Sequence, residues 1–311
     1  MTGSKYDIVV VTGPTASGKT GFAALLASAV GGEIISADSR QVYRRMDIGT
    51  GKDYDDYIIN NERIPFHLVD IVDPGYKYNV YEYQRDFLNV YRKLIKRNIL
   101  PVVCGGSGMY LDSIISGYKL IKVPVNKELR KHLADKSLDE MAQILSSYKI
   151  LHNKTDIDTH KRAIRAIEIE EYYLSNDIVN DDFPKIRPLI LGIRVDRDER
   201  RRRISERLAV RLDSGMIEEV ESLLESGVSA DDLAYYGLEY RYIILYLRGK
   251  LSYDEMKRSL ETAIHQFAKR QMTWFRGMER RGITINWIDA GLDNKEKLNI
   301  ALELLKDKSE R

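Results

Sequence analysis

The most informative chemistry in the chain lies near its start, where residues 13–20 match the Gly-x-x-x-x-Gly-Lys-Thr phosphate loop at every fixed position. The glycines let the backbone curl so that several amide N–H groups point at one anion, and a following helix adds its positive N-terminal end. Lys19 would supply a cation, and the Thr20 hydroxyl could hold Mg²⁺. The motif predicts a diphosphate or polyphosphate site but does not identify the phosphate compound.

Two further polar segments follow apolar runs that read as strands. Asp38 comes directly after the run at residues 34–35, so a carboxylate there could accept a proton or help to hold Mg²⁺. Capping of the next helix explains the same residue equally well. Ser107 lies in the glycine-rich segment 105–110, which offers a hydroxyl and close backbone approach but could also be a simple helix start.

Cations cluster in two segments that could bind RNA phosphates. They are Lys161, Arg162 and Arg165 in residues 160–168, and Lys269 and Arg270 in residues 266–276. In the second segment aromatic residues interleave with the cations, which suits RNA phosphates together with base stacking. The alternative is that Phe267, Met272 and Phe275 belong to the core and the cations lie on a solvated helix face.

Alternating strands and helices must position these groups. Apolar runs predict strands at residues 8–11, 33–36, 67–71, 100–104, 188–195 and 283–287. Helical spacing predicts helices at residues 21–27, 80–94, 200–225, 230–247 and 253–281, with a last helix before the C-terminus. This order predicts an α/β fold, a P-loop NTPase-like parallel sheet flanked by helices, with the ligand outside the carboxyl ends of the strands.

The segment from 118 to 187 differs, because its pattern is polar and helical without a convincing strand. We therefore expect a catalytic core made of residues 1–117 and 188–311, the latter including the C-terminal helices. Residues 118–187 would form a helical insertion domain, which would bind RNA if its cations contact phosphates.

Composition narrows the class of protein. The 311 residues carry 49 Lys and Arg against 47 Asp and Glu, a net charge of +2, so net charge alone does not indicate a nucleic-acid partner. The single Cys104 excludes a disulfide framework and a cysteine-rich zinc module, and the sequence shows no secretory leader and no apolar run of membrane-spanning length. We expect a cytoplasmic protein without a membrane partner, and a monomer.

Taken together, these segments resemble the tRNA dimethylallyltransferases, also called tRNA isopentenyltransferases. The resemblance runs over nearly the whole chain, in the family's order: residues 13–20, 36–52, 67–74, 105–110 and 266–274. It implies transfer of a dimethylallyl group from dimethylallyl diphosphate to the exocyclic amine of the adenosine 3′ of the anticodon in tRNA. The implied partners are that donor and the tRNA anticodon stem-loop, and the implied cofactor is Mg²⁺.

The resemblance also implies roles for individual residues. Asp38 would be the general base, and Ser107, where the family usually has Thr, would donate to the bridging oxygen of the leaving diphosphate. The implied diphosphate contacts are Gly13, Thr15, Ala16, Ser17, Gly18, Lys19, Thr20 and Arg197, with Thr20 also on the metal. The implied tRNA contacts are Asp38, Ser39, Arg40, Gln41, Lys161, Arg162, Arg165, Lys269 and Arg270.

One segment departs from the family pattern, which usually has Gly-Tyr-Lys-Glu where this chain has Gly237 followed by Leu238 and Glu239. Three other functions are weighed against tRNA prenylation. A P-loop kinase would share the phosphate loop and Mg²⁺, and an isopentenyltransferase acting on a free nucleotide would share the donor chemistry. An RNA-binding module without activity would leave the phosphate loop unexplained.

Overall fold

A computed structural model describes residues 5–150, 155–176 and 183–306 of the chain. The strands are β1 Ile8–Thr12, β2 Glu33–Ser36, β3 Ile58–Ile59, β4 Glu62–Arg63, β5 Phe66–His67, β6 Pro101–Gly105, β7 Pro188–Arg194 and β8 Asn286–Asp289. The first helices are α1 Lys19–Val30, α2 Val80–Lys96, α3 Gly108–Ile115, α4 Lys127–Leu133, α5 Leu138–Tyr148 and α6 His160–Ser175. The remaining helices are α7 Arg197–Asp213, α8 Met216–Glu225, α9 Ala230–Tyr236, α10 Leu238–Leu247, α11 Tyr253–Arg280 and α12 Asn294–Lys306.

The central sheet has six strands in the order β5-β2-β6-β1-β7-β8, and every pair is parallel. β1 lies between β6 and β7, with Val9 opposite both Val102 and Leu189. All five residues of β1 are buried, as the near-continuous apolar run of a central parallel strand predicts. The predicted parallel α/β fold of P-loop NTPase type is confirmed. β3 and β4 form a separate antiparallel pair, which the sequence analysis missed.

The chain divides into two compact units. The larger comprises residues 1–118 and 184–311, and the smaller comprises residues 119–183. Within its described residues the smaller unit contains α4, α5, α6 and a 3₁₀ turn at Thr155–Ile157, and no strand. Its own core packs α5 against α6 through Met141, Leu145, Ala163 and Ile167.

Several predicted element boundaries were wrong, each for a local reason. The strand predicted at 67–71 is limited to Phe66–His67, because Leu68 (φ 61°) and Asp70 (φ 55°) leave the extended conformation. The helix predicted at 200–225 breaks at Gly215, whose φ of 97° favours glycine and ends α7 before α8 begins. The helix predicted at 230–247 breaks at Gly237, and the strand predicted at 283–287 is Asn286–Asp289.

None of the helices within the described residues is both long enough and apolar enough to cross a membrane.

Candidate active site

Three neighbouring strands deliver the polar segments to one edge of the sheet. β2, β6 and β1 are adjacent and parallel, so the segments that follow Ser36, Gly105 and Thr12 emerge side by side. The Thr12 hydroxyl donates to the Gly105 carbonyl over 2.9 Å, and the Ala37 amide donates to the Cys104 carbonyl over 2.7 Å. The backbones approach so closely here that a Cβ on Gly105 would lie 2.2 Å from the Ala37 carbonyl oxygen. Topology thus brings together the phosphate loop, Asp38 and Ser107.

The phosphate loop begins where β1 ends and leads directly into α1. Gly18 precedes the helix in the left-handed conformation (φ 79°), and Lys19 is the first helical residue. Lys19 Nζ lies 3.5 Å from the Pro14 carbonyl oxygen, and burial lowers the pKa of its ammonium group. A cation held at the start of a helix, in a site that disfavours its charge, is suited to an anionic ligand.

Gln271 on α11 connects this loop to the glycine-rich turn after β6. Its Oε1 accepts from the Thr15 amide over 2.8 Å, and its Nε2 donates to the Gly106 carbonyl over 3.0 Å. Gln271 is 9% exposed on an otherwise apolar stripe that includes Ala268 and Phe275. A polar residue on an apolar helical stripe was visible in the sequence, and that signal could have identified it.

Asp38 and Ser107 both contact the short segment after β2. Asp38 Oδ1 accepts from the Arg40 amide over 2.9 Å, so the carboxylate stabilises a turn, and no helix begins there. Ser107 Oγ accepts from the Ser39 amide over 2.9 Å and lies 3.1 Å from Ser39 Oγ. Ser107 thus packs against the turn that carries Asp38, so the two predicted catalytic groups are neighbours.

A cavity opens beside the phosphate loop, lined on one side by Thr15 and Ala16. The other lining residues are Ile204, Arg207, Leu208 and Arg211 from α7, Glu239 from α10 and Ile264 from α11. Burial lowers the pKa of Arg211 to about 10, with the charge of Arg207 acting in the same direction. The cavity combines apolar walls with two cations, a composition that suits a phosphorylated apolar compound.

Two arginines of the cavity are further candidates for binding the diphosphate. Arg207 and Arg211, one turn apart on α7, were missed by the sequence analysis. Arg197 is exposed at the first position of the same helix, so its predicted diphosphate contact stays a prediction. Glu239, one of the two residues that depart from the pattern of the family the sequence resembles, lines the same cavity, and the charges of the two arginines oppose the rise in its pKa that burial causes.

Oxygen ligands suitable for Mg²⁺ lie at the start of α1. Thr20 is the second residue of the helix, and Asp56 Oδ1 lies 3.7 Å from where a Cβ on Gly21 would be. Burial raises the pKa of Asp56, while the charges of Arg207 and Lys19 oppose this. Among the described residues no cluster of three or more His, Cys, Asp or Glu could hold a metal by itself. A hydroxyl and a carboxylate are ligand types that Mg²⁺ takes together with phosphate oxygens and water, and the contact of Thr20 with Mg²⁺ stays a prediction.

The remaining predicted contacts of the segment after β2 are close to Asp38. The Arg40 guanidinium lies 5.7 Å from the ring centroid of Tyr235, which is 44% exposed. Gln41 Nε2 donates to the Gly51 carbonyl over 3.1 Å, which fixes the side-chain amide.

In the smaller unit the three predicted RNA-binding cations lie on α6 in different settings. Arg162 pairs with Asp158 over 2.5 Å, and both side chains are substantially exposed. Arg165 pairs with Glu168 over 2.5 Å and donates to the Val123 carbonyl, while Glu168 is 1% exposed in its side chain and also binds Arg130. Arg165 thus has a structural role within the unit, and the contact of all three cations with RNA stays a prediction.

On α11 the structure separates core residues from surface residues. Phe275 is fully buried, but Phe267 is 40% exposed, with Arg270 6.0 Å from its ring centroid. The alternative of a core segment with its cations on a solvated face is therefore right for Phe275 and for the exposed Lys269 and Arg270, but wrong for Phe267. An exposed aromatic ring beside two cations remains available to RNA.

The fold and the site define a protein of P-loop NTPase-like architecture with its phosphate loop at the carboxyl edge of a parallel sheet. The family model described as IPP transferase matches residues 41–278. A protein named tRNA dimethylallyltransferase 2 from Bacteroides fragilis is 62% identical over 307 residues, 99% of this chain and 100% of that protein. Another, tRNA dimethylallyltransferase 1 from Parabacteroides distasonis, is 58% identical over 96% of this chain and 98% of that protein.

Solved structures agree with these relatives. The tRNA isopentenylpyrophosphate transferase from Bacillus halodurans has a TM-score of 0.70 and 28% identity, covering 98% of both chains. A eukaryotic dimethylallyltransferase acting on tRNA has a TM-score of 0.78, covering 97% of this chain and 81% of that one; at 20% identity this likeness shows the fold alone. The chain belongs to the IPP transferase family of tRNA dimethylallyltransferases, so the resemblance drawn from the sequence is confirmed.

Proposed function

We propose that the protein transfers the dimethylallyl group of dimethylallyl diphosphate to the exocyclic amine of the adenosine 3′ of the anticodon in tRNA, releasing diphosphate. Family membership supports prenyl transfer to tRNA. The observation that carries the proposal is the convergence of the phosphate loop, the Asp38 turn and Ser107 at adjacent strand ends. These groups are what a diphosphate leaving group and an amine nucleophile require.

On the donor side, the loop amides, Lys19 and the α1 N-terminus would bind the diphosphate, with Ser107 donating to its bridging oxygen. Negative charge grows on the leaving diphosphate during the reaction, so donors fixed in advance stabilise the transition state more than the ground state. Thr20 and Asp56 would hold Mg²⁺, whose charge neutralises the diphosphate when it is bound. The apolar cavity wall formed by Ile204 and Leu208 would exclude water from the reacting carbon.

On the acceptor side, Asp38 would accept a proton from the adenine amine as the new C–N bond forms. An exocyclic amine is a weak nucleophile, so a base within hydrogen-bond reach assists it. The adenine must leave the anticodon-loop stack to reach this group, and Ser39, Arg40 and Gln41 would then contact the flipped nucleotide. Lys161, Arg162 and Arg165 in the smaller unit, and Lys269 and Arg270 on α11, would bind the RNA backbone.

The decisive test incubates the purified protein and Mg²⁺ with radiolabelled dimethylallyl diphosphate and either tRNA or AMP. We expect label in tRNA, located in the nucleoside 3′ of the anticodon, and none in AMP. Transfer to AMP instead would make the protein an isopentenyltransferase of free nucleotides. ATP consumption without prenyl transfer would make it a P-loop kinase.

Replacement of the two outward cations of α6, in the variant Lys161→Gln/Arg162→Gln, should weaken tRNA binding without affecting donor binding. Each lost phosphate contact should reduce the slope of log affinity against log salt by roughly one unit. The measurement is tRNA affinity across a salt series, with Lys127→Gln/Lys131→Gln on α4 of the same unit as the charge-matched control. Slopes equal to wild type would show that this part of α6 does not touch the RNA backbone.

Arg165 requires its own variant, because it also binds the buried Glu168. Arg165→Gln should lower the stability of the smaller unit, so its effect on RNA binding is interpretable only beside a thermal unfolding curve.

A monomeric, cytoplasmic enzyme remains our prediction. Burial raises the pKa of the thiol of Cys104 to about 12, so this thiol stays protonated at neutral pH.

A further inference from the structure

One carboxylate outside the predicted site organises the loop formed by residues 47–51, which borders that site. Glu219 on α8 accepts three consecutive backbone amides: Asp47 over 2.8 Å and Ile48 over 2.7 Å at Oε2, and Gly49 over 3.0 Å at Oε1. The Tyr240 hydroxyl donates to the same Oε1 over 2.7 Å. Four donors converging on one carboxylate form a satisfied network that fixes the backbone of the loop.

The ring of Tyr240 packs against Gly49 and also holds this loop in place. A Cβ on Gly49 would lie 2.7 Å from Tyr240 Cζ, so the loop backbone rests directly on the tyrosine ring. Tyr240 is 1% exposed, and its hydroxyl is held by Glu219. The loop is therefore fixed both by hydrogen bonds from α8 and by contact with α10.

Gly51, near the C-terminal end of this loop, contacts one residue of the segment after Asp38 and two residues of the cavity beside the phosphate loop. The Gly51 carbonyl accepts from Gln41 Nε2 over 3.1 Å and lies 3.4 Å from Arg207 Nη2, which also pairs with Asp53 Oδ2 over 2.7 Å. Arg211 Nη2 lies so close that a Cβ on Gly51 would be 1.8 Å from it. Gln41 belongs to the segment that follows Asp38, and the two arginines line the cavity beside the phosphate loop.

We propose that Glu219 is a positioning residue for the transfer reaction: by fixing residues 47–49 it sets the Gly51 carbonyl, which holds the side-chain amide of Gln41 and packs beside the two arginines of the cavity. The proposal rests on the proposed function. Glu219 touches neither substrate and acts through the loop.

The chemistry of the side chain defines the test. A carboxylate offers about four lone-pair positions for the four donors, whereas a glutamine has one acceptor oxygen and adds two donors of its own. Glu219→Gln therefore leaves loop amides without acceptors and lets Gly51 move. We expect the KM values for tRNA and for dimethylallyl diphosphate both to rise about tenfold, the scale of one or two lost hydrogen bonds. Glu221→Gln, an exposed neighbour on α8, is the matched control and should behave as wild type.

A double-mutant cycle with Gln41→Ala distinguishes positioning from a general loss of stability. If Glu219 acts through Gly51 and Gln41, the double variant should have a tRNA KM close to that of the more affected single variant. Multiplication of the two single effects would overturn the proposal, as would unchanged KM values in Glu219→Gln.

Should Glu219→Gln fail to fold, Tyr240→Phe provides the second variant, because it removes the hydroxyl that holds Glu219 Oε1, the acceptor of the Gly49 amide. We expect a rise of about threefold in tRNA KM, again without multiplication by Gln41→Ala. An unchanged tRNA KM in Tyr240→Phe would then overturn the proposal.

Wild-type protein that transfers no prenyl group to tRNA would refute the proposed function, whereas active wild type with unaffected variants would refute only the role of Glu219.

Discussion

Asp38→Asn should reduce the rate of prenyl transfer by about 10²- to 10⁴-fold, because the amide keeps the shape of the side chain but cannot accept the proton of the adenine amine. The asparagine can still present its Oδ1 to the Arg40 amide, which Asp38 contacts over 2.9 Å in the wild-type turn. The fold and the KM for tRNA should therefore change little. Single-turnover transfer with saturating tRNA measures the effect on the chemical step.

The control for this variant is Asp73→Asn, which alters an exposed carboxylate that pairs with the exposed Arg44 and lies outside the site. It should transfer at the wild-type rate. If Asp38→Asn instead unfolds at a lower temperature or loses tRNA affinity with an unaltered chemical step, Asp38 serves only as the turn-stabilising residue.

Lys19→Ala should weaken binding of dimethylallyl diphosphate and slow transfer by about 10²- to 10³-fold, since a cation is removed where negative charge develops. Burial lowers the pKa of Lys19, so the protein holds this charge against an unfavourable environment. Its removal should leave the melting temperature of the protein without ligand at or above the wild-type value.

Donor affinity, measured by titration calorimetry beside single-turnover rates, checks the prediction for Lys19. Lys93→Ala on the exposed face of α2 is the matched control. Donor binding and transfer equal to wild type in Lys19→Ala would show that the phosphate loop does not hold the donor.

The sequence by itself determined the parts of the site whose conformation depends on residues adjacent in the chain. The phosphate loop, with its glycines, Lys19 and Thr20 in fixed spacing, is a local motif, and its strand and helix were predictable from adjacent residues. The start of α3 after Ser107 was predictable in the same way, whereas at Asp38 the sequence left a helix cap open and the structure has a turn. Apolar runs for β1, β6 and β7 predicted the central strands because strands buried on both faces are apolar throughout.

Boundaries were harder to predict where a single backbone conformation ended an element. Nothing in the apolar pattern of residues 67–71 showed that Leu68 and Asp70 would take positive φ values, which are rare for residues other than glycine. Their conformation accompanies contacts distant in sequence, such as the ion pair of Asp70 with the buried Lys52 over 2.5 Å.

Only the tertiary structure decided which distant residues complete the site. Gln271 joins the phosphate loop across 256 positions, and Glu219 reaches Ile48 across 171 positions. Arg207 and Arg211 read as ordinary members of a charged helix until α7 packs beside the phosphate loop. Periodicity and motif spacing record interactions along the chain, whereas these contacts depend on how helices pack onto the sheet, and no local pattern encodes that packing.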